Sequence, residues 1–296
     1  MGSTLGHALA AAAAAWACLF APQALADLDD VRFRLSADVT YDDNVTRARE
    51  DDRLDDTFAT MSVGASLPLQ LGANSRLALS ANGGAERFNR YRGLDRNFAD
   101  IQAELQYRGS GQFGEPIWGL FARGTVERYD TSDLRDGYRS SAGVTVRLPA
   151  TDRIFIFGAL AYNERDGRSA VFDTQDISIR GHLDYALTRR QTLYIGLEAR
   201  NGDFVSTARP NLEYLDIAEA VVQDDVFTDV QRFSYRIRAN VGILTLGYNI
   251  ALGERASLDV AYRGAYARPE EQPTSVTSEK RSYTLHQVSA ALLSRV

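Results

Sequence analysis

Val31-Arg32-Phe33-Arg34-Leu35-Ser36-Ala37-Asp38-Val39-Thr40-Tyr41 alternates apolar and polar side chains without a break. Successive residues of an extended strand point to opposite sides, so this stretch carries one greasy face and one charged or hydroxylated face. The pattern recurs. Residues 98–108 set Ala99, Ile101, Ala103, Leu105 and Tyr107 against Asp100, Gln102, Glu104, Gln106 and Arg108. Residues 176–187 set Ile177, Ile179, Leu183, Tyr185 and Leu187 against Asp176, Ser178, Arg180, His182 and Asp184.

Weaker versions of this rhythm predict strands at 31–41, 57–71, 76–89, 98–108, 117–129, 138–148, 153–164, 175–187, 191–202, 232–251, 255–267 and 281–294. Each reaches the roughly 9–11 residues that a tilted strand needs to cross a bilayer. About twelve is an even count, as single-chain bacterial barrels have. The connections alternate too. Short, turn-rich ones fall at 72–75, 109–116, 149–152, 188–190 and 253–254, and long polar ones at 42–56, 90–97, 130–137, 165–174, 203–231 and 268–280. Short turns at one end and long loops at the other match the two ends of an outer-membrane barrel. The expected fold is all-β: a transmembrane, antiparallel, up-and-down β-barrel. The competing fold, a soluble β-sandwich, keeps its apolar face for a core and uses strands of about five or six residues.

Aromatic residues mark the same two ends. Tyr41, Tyr129, Tyr138, Tyr162 and Tyr266 fall near the long loops, with Tyr91, Phe204, Phe233, Tyr235 and Tyr283. Tyr107, Trp118, Tyr185 and Tyr248 fall near the short turns. Two such girdles flank the apolar band of a membrane barrel. The rhythm breaks in two places. Odd residues are apolar from 233 to 243 and even ones from 244 to 252, which predicts a bulge near Ile243; a similar slip occurs near His286.

Residues 8–20 are almost wholly apolar, and Ala24-Leu25-Ala26 forms a small-x-small site before Asp27. This layout reads as a secretory signal peptide, 1–26, leaving 27–296 as the barrel; an uncleaved signal anchor is the alternative. Cys18 lies in the leader, so the mature chain has no thiol for a disulfide or a metal. A formal charge of −6 argues against a nucleic-acid partner. No later run reaches the about 18 apolar residues of a membrane helix. No cofactor signature is found.

The polar faces place Arg32, Arg34, Arg108, Arg123, Arg139, Arg147, Arg180, Arg200, Arg236, Arg238 and Arg263 in the lumen, with Asp100, Glu104, Asp184 and Glu198 among the carboxylates. Two readings follow. Guanidinium groups lining a narrow pore attract anionic solutes. Alternatively, arginines and carboxylates pair across a filled polar interior. Residues 211–222 have a short amphipathic helical pattern that could constrict or cap the mouth, although an exposed loop is the simpler expectation. His182 shares a face with Ser178 and Asp184, yet Ser178 is too far along an extended strand for nucleophile–base contact. Asp130-Thr131-Ser132-Asp133-Leu134-Arg135-Asp136-Gly137 offers oxygen ligands for Ca²⁺, with a solvated hairpin tip as the default.

Over its mature length the chain resembles Gram-negative outer-membrane barrels of porin-like type. Tyr41-Asp42-Asp43-Asn44-Val45-Thr46-Arg47-Ala48, just after the first strand, is similar to the opening of porin-like barrels associated with exopolysaccharide export and surface-lipoprotein delivery. The final Val296 departs from the terminal aromatic that such barrels usually carry. The resemblance implies outer-membrane lipid, lipopolysaccharide and the barrel-assembly machinery as partners. The expected function is passive diffusion of small anionic or sugar-like solutes. The alternatives are a non-conducting barrel that helps export or anchor a surface polymer or protein, and a lipid-active enzyme built on His182.

Overall fold

The computed structural model describes residues 31–110, 112–210, 212–227, 231–270 and 282–295. The expected leader and the terminal Val296 lie outside the described residues. In chain order the strands are β1 (Arg32–Asp42), β2 (Asp56–Gln70), β3 (Ser75–Phe88), β4 (Arg96–Arg108), β5 (Ile117–Tyr129), β6 (Gly137–Pro149), β7 (Ile154–Gly167), β8 (Thr174–Thr188) and β9 (Gln191–Ala208). A short helix α1 (Leu212–Ile217) and a short strand β10 (Ala220–Gln223) follow, then β11 (Phe233–Ala251), β12 (Ala256–Pro269) and β13 (Tyr283–Arg295). β1 pairs antiparallel with both β2 and β13, so the sheet closes into a 12-strand barrel with β10 as an extra strand. Closure matters because a backbone edge left unpaired in hydrocarbon loses its hydrogen bonds.

The two faces are distributed as a membrane barrel requires. Ile101 and Met61 are 69 % and 68 % exposed, while Asp100, Glu104 and Glu127 on the other face are 4 %, 4 % and 3 % exposed. A sandwich would bury the first pair and expose the second set. The competing fold fails on that inversion.

Short turns join β2 to β3, β4 to β5, β6 to β7, β8 to β9 and β11 to β12; the other connections form the long-loop end. Three of those loops share one build. Each holds a single 3-10 turn, at Arg92–Leu94, Asp133–Arg135 and Ala170–Phe172. Each then places an aspartate whose carboxylate accepts the backbone N–H near the end of the preceding strand. The pairs are Asp95 with Phe88 (2.6 Å), Asp136 with Tyr129 (2.7 Å) and Asp173 with Gly167 (2.8 Å). These acids therefore close turns.

The structure has no bulge near Ile243. β11 keeps one register with β9 from Phe233 to Ile250 and with β12 from Ala239 to Ala251. β13 is equally continuous with β12 and β1 past His286. The apolar residues of the upper segments point inward: Tyr235, Ile237, Ala239 and Ile243 on β11, Tyr283 and Leu285 on β13, all buried. Strand length explains the inversion. At about 3.3 Å per residue, a strand as long as β11, even when tilted, extends well beyond an apolar band roughly 25 Å tall. Above the band the outside is water and the inside is packed protein, so the apolar face turns inward.

Candidate functional site: the lumen and its mouth

The paired registers assign every strand residue to a face. Arg32, Arg34, Arg108, Arg123, Arg139, Arg147, Arg180, Arg200 and Arg263 stand on the inner face, with Asp100, Glu104, Asp184 and Glu198. Arg236 and Arg238 do not. They alternate with the inward Tyr235 and Ile237 and therefore face outward. Arg236 donates to the carbonyls of Ala170 and Asp173 at 2.7 Å, and Arg238 lies 3.6 Å from Glu270. The sequence reading of these two arginines fails with the bulge on which it relied.

The lumen also holds arginines that the alternation missed, because they sit at strand ends: Arg76, Arg96 and Arg165. The inner groups form clusters. Glu127 is gripped by Arg96 at 2.5 Å, Arg139 at 2.9 Å and Arg165 at 3.4 Å, and Arg96 also reaches Glu86 at 3.0 Å. Arg147 holds Glu104 with both terminal nitrogens, at 2.5 and 2.9 Å, while the Thr145 hydroxyl donates to the same carboxylate. Glu198 takes Arg200 at 2.5 Å and Arg180 at 3.5 Å. Arg123 lies 3.2 Å from Asp100. Cross-strand pairing of this kind is what charges in a confined interior need. At Glu127 and Glu198, however, one carboxylate serves several guanidiniums, so positive charge is left over.

Of the aromatic residues expected at the two ends, eight face outward and five face inward. Tyr41, Tyr138, Tyr162 and Tyr266 face outward near the long loops, and Tyr107, Trp118, Tyr185 and Tyr248 face outward near the short turns. Tyr129 faces inward, directly across from Arg96. Phe204, Phe233, Tyr235 and Tyr283 also face inward; Phe204 stacks on Tyr283 with centroids 4.7 Å apart. They line the upper wall behind the mouth.

The segment from β9 to β11 crosses that mouth. α1 seats Tyr214 against Tyr235 with ring centroids 5.1 Å apart, and β10 pairs with the upper part of β11 above the end of β12. Burial pushes the Tyr214 phenol above its ordinary pKa, against the opposing charge of Arg49. Further along, Val226 and Phe227 pack with Leu94 in a cluster that Val45, Leu54, Phe88 and Tyr91 complete. Leu94 and Tyr91 belong to the β3–β4 loop, on the opposite side of the ring from β9 and β11. The segment therefore spans the opening through Val226 and Phe227, while along 212–222 Leu212 and Leu215 stay exposed and, among the described side chains, only Tyr214 is buried.

Ion pairs pin it on both sides. The fully buried Asp224 carboxylate meets Arg135 at 2.5 Å and accepts from the Ser234 hydroxyl at 2.5 Å and the Thr207 hydroxyl at 3.3 Å. Ser132 donates to Asp225 at 2.6 Å. Arg232, 3 % exposed, donates to the Asp52 carbonyl at 2.9 Å, and Arg209 pairs with the Asp52 carboxylate at 3.4 Å. Burial lowers the Arg232 pKa, and Asp52 opposes the shift.

The Tyr41–Ala48 stretch is the knot between this cap and the barrel seam. Asn44 is completely buried; its amide donates to the carbonyls of Ala48 (2.8 Å) and Thr284 (2.9 Å) and its oxygen accepts from Ala48 N–H. Asp42 accepts from Asn44 N–H (2.8 Å), Arg47 (3.0 Å) and Gln287 (2.8 Å) of β13. Arg47 adopts a left-handed φ of 56°. Its carbonyl and that of Thr46 then accept from Ser206 and the Thr207 backbone of β9. Asp42, Asp52 and Asp56 thus have structural partners instead of forming a free acidic surface.

His182 pairs with Asp184 (2.8 Å) and lies against Tyr194, whereas Ser178 accepts from Asn163 at 3.1 Å; the histidine and serine share no bond. In the 130–137 loop, Asp133 and Asp136 pair with Arg168, and Asp136 also with Arg128. No group of three or more His, Cys, Asp or Glu among the described residues could hold a metal ion.

An outer-membrane channel from Pseudomonas putida F1 superposes with a TM-score of 0.53 at 11 % identity, covering 93 % of this chain and 99 % of that one. The fold is that of outer-membrane channels. The NanC porin aligns at a TM-score of 0.45 and 11 % identity over 87 % of this chain and 98 % of that one. The KdgM porin in complex with disordered oligogalacturonate aligns at 0.45 and 10 % identity, over 88 % and 98 %. No protein-family model and no curated protein sequence matches the chain.

Proposed function

We propose that the chain is an outer-membrane channel of a Gram-negative cell, through which small anionic or sugar-like solutes diffuse past a constriction made by the β9–β11 segment. In this reading residues 1–26 direct export, and the barrel-assembly machinery inserts the mature chain into a bilayer whose outer leaflet is lipopolysaccharide. The observation that carries the proposal is the excess of guanidinium over carboxylate at Glu127 and Glu198, because a narrow charged bore raises the local concentration of counter-ions.

The test is a planar-bilayer recording of refolded mature protein. Stepwise currents and a reversal potential favouring anions in a salt gradient are expected. Replacing Arg123, Arg180 and Arg200 together by Gln should move that potential toward zero. Anion preference unchanged in that variant refutes the selectivity argument. A second reading, a non-conducting barrel that assists export or anchoring of a surface polymer, draws support from the segment pinned across the mouth. It predicts no steps in the recording.

A further inference from the structure

Arginines stand side by side where the barrel closes. β1 and β13 place Arg34 directly across from Arg295. The Arg295 N–H donates to the Arg255 carbonyl at 2.7 Å, which carries the β12–β13 register one residue past Ala256 and sets Arg255 across from Arg295. Arg32 lies two residues before Arg34 on the same inner face. Facing residues of an antiparallel ladder are about 5 Å apart, and like charges in that position destabilise a sheet. All four side chains are exposed, so packed protein does not fill the space around them.

The lumen elsewhere treats its arginines differently. Those near Glu127, Glu104, Glu198 and Asp100 each have a carboxylate partner. At the seam, none of the four guanidinium groups forms an ion pair among the described residues. Arg34 has one polar partner, the neutral Asn82 amide oxygen at 3.3 Å, which lies in the space that Gly64 leaves open. Acids on the same wall are engaged elsewhere. Asp100 is held by Arg123 and Asn82, while Asp38 accepts from Thr40 and Asp259 from Tyr194. Hydroxyls border the row: Ser66 stands across from Arg32, and Ser36 and Ser62 share a hydrogen bond of 2.6 Å.

We propose that this row binds one dianionic phosphate group, either the free ion or the monoester of a small solute. Two charges on one compact group answer guanidiniums spaced about 5 Å apart, and a phosphate offers several oxygens to their forked donors. A carboxylate brings one charge and two oxygens, and a dicarboxylate holds its two charges apart. The inference deepens the anion-channel reading, adding a station at the short-turn end. Binding needs only the closed barrel, so a titration in detergent and a current in a bilayer can fail separately.

Isothermal titration calorimetry of detergent-solubilised residues 27–296 near pH 8 tests it, with inorganic phosphate, glucose 6-phosphate and succinate as probes; phosphate esters are dianionic there. One phosphate or one glucose 6-phosphate per barrel should bind about tenfold more tightly than succinate, and the tighter of the two names the source. Arg34→Gln combined with Arg295→Gln should weaken both about tenfold, whereas the Arg123, Arg180 and Arg200 variant should still bind. The same double change should raise the Tm of the phosphate-free barrel, because it removes facing like charges, and that readout also reports folding. Asp27, Asp29 and Asp30 precede β1 in the titrated chain and compete with the probe. Absence of phosphate binding, succinate bound as tightly as phosphate, phosphate binding that survives the loss of Arg34 and Arg295, or a lowered Tm in that variant each overturns the proposal.

Discussion

On the outer face of β11, Leu244, Leu246, Tyr248 and Ile250 form one region and Arg236, Arg238 and Asn240 another. Backbone, register and face are continuous between them, yet the chemistry inverts. In the lower region the outside is apolar and Thr245 and Asn249 face the lumen. In the upper region the outside is polar, and Tyr235, Ile237 and Ala239 lie buried against packed protein. Which side of a strand is greasy depends on the medium it meets on each side. The upper half behaves like a small soluble protein built around the β9–β11 segment, and the lower half like a lipid-exposed wall.

Four substitutions probe that contrast, from large effect to small. Asp224→Ala strips Arg135 of its buried partner and should cost about 3–5 kcal/mol, enough to detach the mouth-crossing segment. Protease cleavage within 209–232 and a raised conductance would report it; an uncut, unchanged channel would show that the segment is held by other contacts. Tyr235→Ala empties the site under Tyr214 and should cost about 3 kcal/mol, loosening the same segment with the lower barrel intact.

Leu246→Arg puts a charge on the lipid face and should cost roughly 2–3 kcal/mol in vesicles, read from urea unfolding by the fluorescence of Trp118. The reverse change in the upper region, Arg238→Leu, should alter stability by no more than about 0.5 kcal/mol. If Leu246→Arg and Arg238→Leu prove equally costly, the two halves do not meet different media.

Within the lumen, Glu127→Gln would leave Arg96, Arg139 and Arg165 without their shared counter-charge. The reversal potential should shift toward stronger anion preference, opposite in sign to the arginine variants.

Much of the barrel was legible because lipid imposes a repeat of two on every spanning strand; β1, β4 and β8 could be read almost residue by residue. The lumenal faces of Arg123, Arg139, Arg180 and Arg200 followed from the same rhythm. Arg236, Arg238 and Tyr129 did not. The first two belong to a strand segment above the apolar band, where inward residues are the apolar ones, so the rhythm was read one phase out. Tyr129 is the last residue of β5, where an aromatic fits a lumen packed with arginines as well as an interface. Arg96 and Arg165 lie at strand ends, where too few neighbours define a phase.

The chain's own pattern determined the class of fold, the approximate strands and which connections are long, since each follows from local alternation and turn chemistry. Tertiary structure alone decided that Val226 and Phe227 reach Leu94 across the ring, that Asp224 meets Arg135, and that Asn44 ties the seam to the cap. Those contacts join residues far apart in the chain. Their partners are chosen by where a closed sheet places its loops, and no local period carries that information.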